Sequence, residues 1–367
     1  MARVAVLHNT LDFRGGADAV CVHTCAALAA AHDVALFTIS ETTPDAVGAQ
    51  FDVDVSVPVV VPPGASNVAA ALSAAAPTIG PQLAARSVLL RAFFRRHASA
   101  YDVAVSTANE LAVPLPSVQY VHFPQFRCDT TPTADPGRLN GVWSRLAAPA
   151  ADRPDTRYLA NSAWTADAFE ASYDRRPTVC HPPVDPIDGV PWGARADRIV
   201  VLGRIAPDKR TLDAIDVIDA LRARGHDLTC TIVGAAPAAY RDYVADVRAA
   251  ADSRPYVTVE TDVPRGRITE LLGRSRYGLN LKPIEHFGMA VAEYVASGML
   301  AFAPDSGGQV DVLDGDDDVL FEGVAGAVDA IAAAIDDGLQ PSLPRDRFGR
   351  DRFADAIRRQ VAAVCPD

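Results

Sequence analysis

Two doubly wound α/β domains are what this sequence predicts, and three observations predict them. Apolar runs of strand length alternate with Ala-rich stretches of helix length from end to end, the pattern of parallel sheets joined by crossover helices. A proline-studded stretch, His181-Pro-Pro-Val-Asp-Pro186 to Pro191-Trp-Gly193, falls near the middle and blocks regular structure as a hinge does. The chain has 367 residues, 49% of them hydrophobic, enough for two cores.

Taken in order, the first half predicts strands at Val4–His8, Val34–Ile39, Asp102–Thr107, Val118–His122 and Arg157–Asn161. The second half repeats the pattern at Ile199–Gly203, Leu228–Val233, Tyr256–Val259, Tyr277–Leu281 and Leu300–Ala303. The expected division is residues 1–188, residues 189–345 and a closing helix within 346–367. That helix, Asp346 to Val364, places Phe348, Phe353, Ile357 and Val361 on one side and is expected to cross back onto the first domain.

Composition excludes several classes. A net charge of -12 argues against nucleic-acid binding, which needs a basic footprint. No apolar run reaches the roughly 18 residues of a membrane span, and Met-Ala-Arg-Val-Ala-Val-Leu-His8 turns polar too soon for a secretory signal, so a cytoplasmic protein is expected. Asp is abundant, Glu rare, and Lys occurs only at Lys209 and Lys282. This balance resembles proteins of extreme halophiles, although GC-rich codon usage gives the same excess of Arg and Ala. The six cysteines, at 21, 25, 128, 180, 230 and 365, form no C-x-x-C pair and read as buried free thiols.

Ligands of open α/β sheets bind past the carboxyl ends of the strands, and the polar residues there converge. Glu285-His-Phe-Gly-Met-Ala-Val-Ala-Glu293 sets one acid in a strand-to-helix loop and the other one to two turns into the helix. Between them the backbone N–H groups of Phe287, Gly288 and Met289 face an anion site helped by the helix dipole. Val200-Val-Leu-Gly-Arg204 ends in an arginine with Lys209 close behind, a chemically sensible diphosphate clamp, although two basic residues alone are as often plain surface charge. Gly15-Gly16 follows the first strand and opens the helical Ala17–Ala31 stretch, where backbone can approach a ligand; a glycine pair alone is usually a turn. His122 ends its strand at the same edge, which makes a role near a reacting centre credible for a residue type that is usually structural. No G-x-G-x-x-G follows any expected strand, which disfavours a dinucleotide oxidoreductase. Asp52-Val-Asp54 and Asp316-Asp-Asp318 read as solvated acids without the further oxygen ligands of a hard cation.

These pieces together resemble the retaining glycosyltransferases of family 4. The resemblance rests on Gly15-Gly-Ala17, Tyr120-Val-His-Phe-Pro124, Asn161-Ser-Ala-Trp-Thr165, His181-Pro-Pro-Val-Asp185, Gly203-Arg204 with Lys209, the Glu285/Glu293 pair and Ser306-Gly-Gly308, in family order over nearly the whole chain. Within that family it is most similar to the dolichol-linked or polyprenyl-linked α-1,2-mannosyltransferases of N-glycan assembly, with Ala163 and Tyr294 as departures and without their amino-terminal membrane segment. The resemblance implies a GT-B fold of two facing Rossmann-like domains, the first on the acceptor side and the second binding the nucleotide sugar in the cleft between them. It implies that Arg204 and Lys209 hold the donor diphosphate with the N–H groups of Gly15, Gly16 and Phe287 to Met289, that Glu285 contacts the transferred sugar, that Glu293 contacts the ribose, and that His122 lies by sugar and acceptor.

The implied reaction moves a hexose from GDP-mannose or a UDP-hexose to a glycan or lipid-linked acceptor, with no metal, no cofactor and no protein nucleophile. Positive charge stabilises the departing nucleoside diphosphate. Glu285 and Glu293 then serve different parts of the donor and do not form a hydrolase pair. The alternatives are an inactive nucleotide-binding scaffold, which has no need of the complete residue set, and a nucleotide-sugar epimerase, which the Glu-x₇-Glu spacing disfavours. Leu83 to Arg96, with Leu89, Leu90, Phe93 and Phe94 among its arginines, reads equally as a peripheral membrane contact beside a lipid-linked acceptor or as a helix packing its apolar stripe with arginines outside.

Overall fold

In this computed structural model, residues 1–79, 82–124, 126, 142–143 and 155–365 are described, the side chains of 73 and 75–79 excepted. The chain divides into two compact units, one formed by Met1–Pro183 with Arg350–Asp367 and the other by Val184–Gly349.

Among the described residues the first unit is built on a seven-stranded parallel sheet: β1 (Arg3–His8), β2 (Asp33–Thr38), β3 (Val59–Val60), β4 (Val103–Ser106), β5 (Ser117–Val121), β6 (Thr156–Ala160) and β7 (Thr178–Val179). Their order is β3-β2-β1-β4-β5-β6-β7, and β1 pairs with β2 from Arg3↔Asp33 to His8↔Thr38. Parallel strands covered on both faces must be apolar at successive positions. In β1, Val4 and Val6 face one core layer with Val20, Leu36 and Tyr120, while Ala5 and Leu7 face the other with Phe37, Leu90 and Phe94.

The closing helix runs Arg350–Ala362. Its Phe353, Ile357 and Val361 lie in the first unit's core beside Val20 and Tyr120, each worth roughly 1.5–3 kcal/mol when fully buried. Phe348, expected on the same stripe, lies in the second unit's core, edge-on to Phe287 at 5.4 Å.

Helix Leu83–Phe94 buries Leu90 and Phe94 and leaves Leu89 42% exposed. The expectation that its arginines all lie outside is corrected at Arg86, which is buried. Arg86, Leu90 and Phe94 are spaced i, i+4, i+8 on one face, so the guanidinium enters with the apolar stripe. It donates to the Ile39 and Ala69 carbonyls at 2.9 and 3.4 Å and lies 3.6 Å from Asp12.

The second unit carries a six-stranded parallel sheet: β8 (Ala196–Leu202), β9 (Thr229–Gly234), β10 (Val257–Thr261), β11 (Ser275–Leu279), β12 (Leu300–Pro304) and β13 (Leu320–Phe321). Its order is β10-β9-β8-β11-β12-β13, which in chain sequence is 3-2-1-4-5-6, the doubly wound dinucleotide-fold order. The order reverses between β8 and β11, so the crevice past their carboxyl ends is where such a sheet takes a ligand.

Cys21, Cys25, Cys180 and Cys230 are buried free thiols, whereas Cys365 is only half-buried; Cys128 lies outside the described residues. Among the described residues no helix is long and apolar enough to cross a membrane.

Candidate functional site

The second unit concentrates charge at its switch point. Past β8 come Gly203 and Arg204, then a short 3₁₀ turn, Pro207–Lys209, that presents Asp208 and Lys209. Past β11 come Lys282 and Glu285. Lys209 Nζ forms an ion pair with Glu285 Oε1. Lys282 Nζ lies 3.8 Å from Glu285 Oε2 and 3.3 Å from Asp208 Oδ2, and Arg204 lies 3.6 Å from the same Asp208 oxygen. Three cations thus share two carboxylates. Arg204, Lys209 and Glu285, singled out by the sequence, are brought into one network, and Lys282 and Asp208, which sequence reasoning passed over, complete it. Scarcity was the available signal for Lys282, since both lysines of the chain are here.

The loop that carries Glu285 is held from behind. Glu285 bridges to Gly307, and its carbonyl accepts from Gly308 N at 2.7 Å. A methyl group at Gly307 would collide with the Glu285 backbone, and one at Gly308 with the His286 carbonyl, so Ser306-Gly-Gly308 is a close-approach motif. Ser306 Oγ accepts from Ile284 N at 3.2 Å. Gln309, fully buried, reaches the carbonyls of Lys282, Pro304 and Ser306 from its Nε2 at 3.0–3.2 Å. Its Oε1 accepts from Asn280 at 2.6 Å. A pocket of about 230 Å³ opens beside this loop, lined by Leu281, Pro283, Ser306 and Phe321 among others.

Helix Met289–Ser297 starts immediately after, with Gly288 in the left-handed region at φ 105°. An α-helix leaves its first N–H groups without intrahelical partners, and this one starts at Met289 just past β11. Phe287 turns its ring into the core. His286 is pushed down to about 4, first by burial and then by the Lys282 charge, with Lys209 adding to it against Glu285, and is therefore neutral at neutral pH. Glu293, one turn into the helix and buried, pairs with Arg265 at 2.9 Å. Arg265 opens the helix Arg265–Arg274 after β10.

Tyr294, one of the sequence departures, is fully buried under the switch point. Its hydroxyl accepts from Leu202 N at 2.7 Å and lies 3.3 Å from the Leu279 carbonyl, tying the ends of β8 and β11 together. Gly278 makes room for the ring, since a methyl there would meet it. Burial raises its phenol far above the usual value, so it stays a neutral strut.

In the first unit, Gly15 caps the helix Gly16–Ala29. Its N–H donates to Asp18 Oδ2 at 3.0 Å, and Asp18 Oδ1 pairs with buried His8 Nε2 at 2.9 Å. His8 Nδ1 lies 3.0 Å from Thr107 Oγ1, so the ring links the ends of β1 and β4, the switch point of this sheet. Burial opposes a charge on His8, and Cys21 first, then the hydrogen bond and charge of Asp18 and the Thr107 backbone, overcome it, raising the imidazole to about 9. A Cβ at Gly15 would meet nothing within 4 Å, so packing does not demand glycine at that position.

His122 follows β5. Its Nε2 is 3.1 Å from the Thr107 carbonyl, an acceptor only, so Nε2 carries the proton. Its N–H donates to Asn109 Oδ1 at 2.7 Å, and its carbonyl accepts from Asn161 Nδ2 at 3.2 Å and Thr165 Oγ1 at 3.3 Å. Ser162 caps the helix Ala163–Tyr173 by accepting from Thr165 N at 3.1 Å. The Asn161-Ser-Ala-Trp-Thr165 motif therefore serves to fix His122. Trp164 stacks on Phe123, ring centroids 5.9 Å apart. Asn109 was missed by sequence reasoning; its left-handed φ of 66° is legible only in the structure.

Comparison with known proteins bears on the family and the fold. Residues 191–352 match the family model "Glycosyl transferases group 1". The chain is similar to GDP-Man:Man(3)GlcNAc(2)-PP-Dol alpha-1,2-mannosyltransferases of Eremothecium gossypii, 28% identical over 164 residues, and of Candida glabrata, 26% identical over 166 residues, in each case across 41% of this chain. The matches span 28% and 33% of those relatives' length. Among solved structures, HepE of Anabaena in complex with UDP is similar over 99% of this chain and all of that one, with a TM-score of 0.71 at 15% identity. WaaG, a glycosyltransferase involved in lipopolysaccharide biosynthesis, is similar over 98% of this chain and 95% of that one, with a TM-score of 0.65 at 15% identity. The chain has the GT-B fold of two parallel-sheet, Rossmann-like units, and its residues 191–352 are a glycosyl transferases group 1 domain.

Proposed function

We propose that this protein is a retaining, metal-independent glycosyltransferase of the family 4 type that moves a hexose from a nucleotide-sugar donor to a glycan or lipid-linked acceptor. The observation that carries the reading is the network of Arg204, Lys209, Lys282, Asp208 and Glu285 at a switch point of dinucleotide-fold order. Such a site offers charge for a diphosphate and carboxylate for hydroxyls within one side-chain length. It is supported by relatives named as using GDP-mannose and by a similar fold in HepE crystallised with UDP-glucose.

In this reading Arg204 and Lys209 take the diphosphate with the N–H groups of Phe287, Gly288 and Met289, and stabilise the nucleoside diphosphate as it leaves. Glu285 accepts from hydroxyls of the sugar. Glu293, oriented by Arg265, accepts from the ribose. His122 is assigned to the sugar and acceptor, and the N–H groups of Gly15 and Gly16 to the donor phosphates, on the resemblance of their motifs. A donor phosphate oxygen takes the acceptor proton as the new bond forms on the face the diphosphate leaves. The lipid-linked nature of the acceptor, contact with an anionic membrane through Leu89, Arg91, Arg95 and Arg96, the cytoplasmic location and the halophilic origin belong to the same proposal.

The test is donor turnover. Purified protein is expected to hydrolyse or transfer from GDP-mannose or a UDP-hexose in the presence of EDTA. Glu285→Ala, Arg204→Ala and Lys209→Ala are each expected to lower the rate by about 10²-fold or more while remaining folded. Near-normal turnover by folded Glu285→Ala refutes the assignment.

A further inference from the structure

The lysine count and the ion-pair geometry together assign a part to Lys282. Two of the chain's 34 basic residues are lysines, and one stands on each oxygen of Glu285: Lys209 on Oε1 and Lys282 at 3.8 Å from Oε2. Building on the donor-binding reading above, we propose that Lys282 is the counter-ion that holds Glu285 in place when Lys209 is drawn to the donor diphosphate.

The physical argument begins with competition. A diphosphate is a stronger partner for an ammonium than a single carboxylate, because it offers more oxygens and more charge. When Lys209 turns to it, Glu285 loses its closest cation. The Glu285 side chain is only 16% exposed, and a mostly buried carboxylate stripped of its partner is destabilised unless another cation remains. Lys282 remains. Its backbone is fixed because its carbonyl accepts from Gln309 at 3.2 Å, and its ammonium is anchored 3.3 Å from Asp208. Asp208 in turn steadies Arg204 at 3.6 Å. Lys282 is thus placed to keep Glu285 paired and aimed while Lys209 works on phosphate. It is a positioning residue, and the diphosphate is not its ligand.

With only two lysines, protein made with lysine ¹³C-labelled at Cε gives one signal for each, assigned with Lys209→Arg and Lys282→Arg. On titration with UDP and with GDP, the Lys209 signal is expected to move and the Lys282 signal to stay nearly in place. In donor hydrolysis, Lys282→Met is expected to lower kcat by roughly 10–100-fold with the Kd for nucleoside diphosphate within about twofold, and Lys282→Arg to recover most of the rate. A Lys282 signal that moves as far as that of Lys209, or a Kd that weakens with kcat, makes Lys282 a phosphate ligand and overturns the inference. Unchanged kcat in Lys282→Met beside an active parent also overturns it. If neither signal responds to UDP or GDP and the parent turns over no nucleotide sugar, it is the donor-binding reading itself that has failed.

Discussion

The buried His8–Asp18 pair makes a prediction about pH that the structure allows to be worked through. His8 is raised to about 9 from an unfolded value near 6.5. A group with a raised folded pKa contributes stability that is full below the unfolded value and is lost as pH climbs through the folded one. The window therefore lies between pH 6.5 and 9, and 2.5 units at about 1.4 kcal/mol each set an upper bound on the order of 3 kcal/mol. Charge on Cys21 is the largest contribution that raises His8, ahead of Asp18; burial pushes that thiol well above its usual value, so it is neutral in this window and the share due to Asp18 falls below that bound. Urea unfolding at pH 6.5, 7.5 and 9, read by pulsed hydrogen exchange in the peptides of β1 and β8, separates the two units. The β1 midpoint is expected to fall across the window and the β8 midpoint to be insensitive to His8. In Asp18→Asn the β1 midpoint is expected to be lower at pH 6.5 and nearly flat to pH 9. A parent whose β1 midpoint ignores pH, or an Asp18→Asn variant with the parent's full slope, refutes the reasoning.

Other expectations concern the supports of the charged network and the surface of the first unit. Tyr294→Phe removes the acceptor of Leu202 N and is expected to cost about 1–3 kcal/mol, seen as a lower Tm in calorimetry and a loosened Gly203-Arg204 turn in hydrogen exchange. Gly308→Ala forces a methyl against the His286 carbonyl; roughly 1–3 kcal/mol of strain is expected, with donor turnover lost more steeply than Tm because the displaced backbone carries Glu285. For the membrane contact, the parent is expected to co-sediment with anionic liposomes at low salt, and replacement of Arg91, Arg95 and Arg96 to abolish it. No sedimentation of the parent rejects that contact.

The strands that sequence revealed were those whose burial on both faces forces unbroken apolar runs, β1 and β2 above all. The ones it missed, β3, β7 and β13, are two residues long, too short to show any period. Members of the charged network were legible where motif and strand end coincide, as at Arg204, Lys209 and Glu285. Gln309 and Asn280 were not, because a buried amide that staples three carbonyls has no signature in the order of residues. Arg86 misled for a related reason: an arginine on an apolar helix reads as a surface charge until the carbonyls of Ile39 and Ala69 are seen waiting for it. Tyr294 read as an anomaly and proved to be a brace.

The interrupted make-up of the first unit bears on how the molecule comes to exist. Residues 184–349 are continuous and hold a core of their own, so they can fold as soon as they emerge from the ribosome. The sheet of Met1–Pro183 emerges earlier, yet Phe353, Ile357 and Val361, which cover one of its faces, are made only after the whole of residues 184–349. Vectorial synthesis ordinarily favours the amino-terminal domain; here that domain must wait with an open apolar face until the whole intervening unit has been made. Nascent chains stalled before residue 350 are accordingly the species most in need of a chaperone, and the closing helix is the step that releases them.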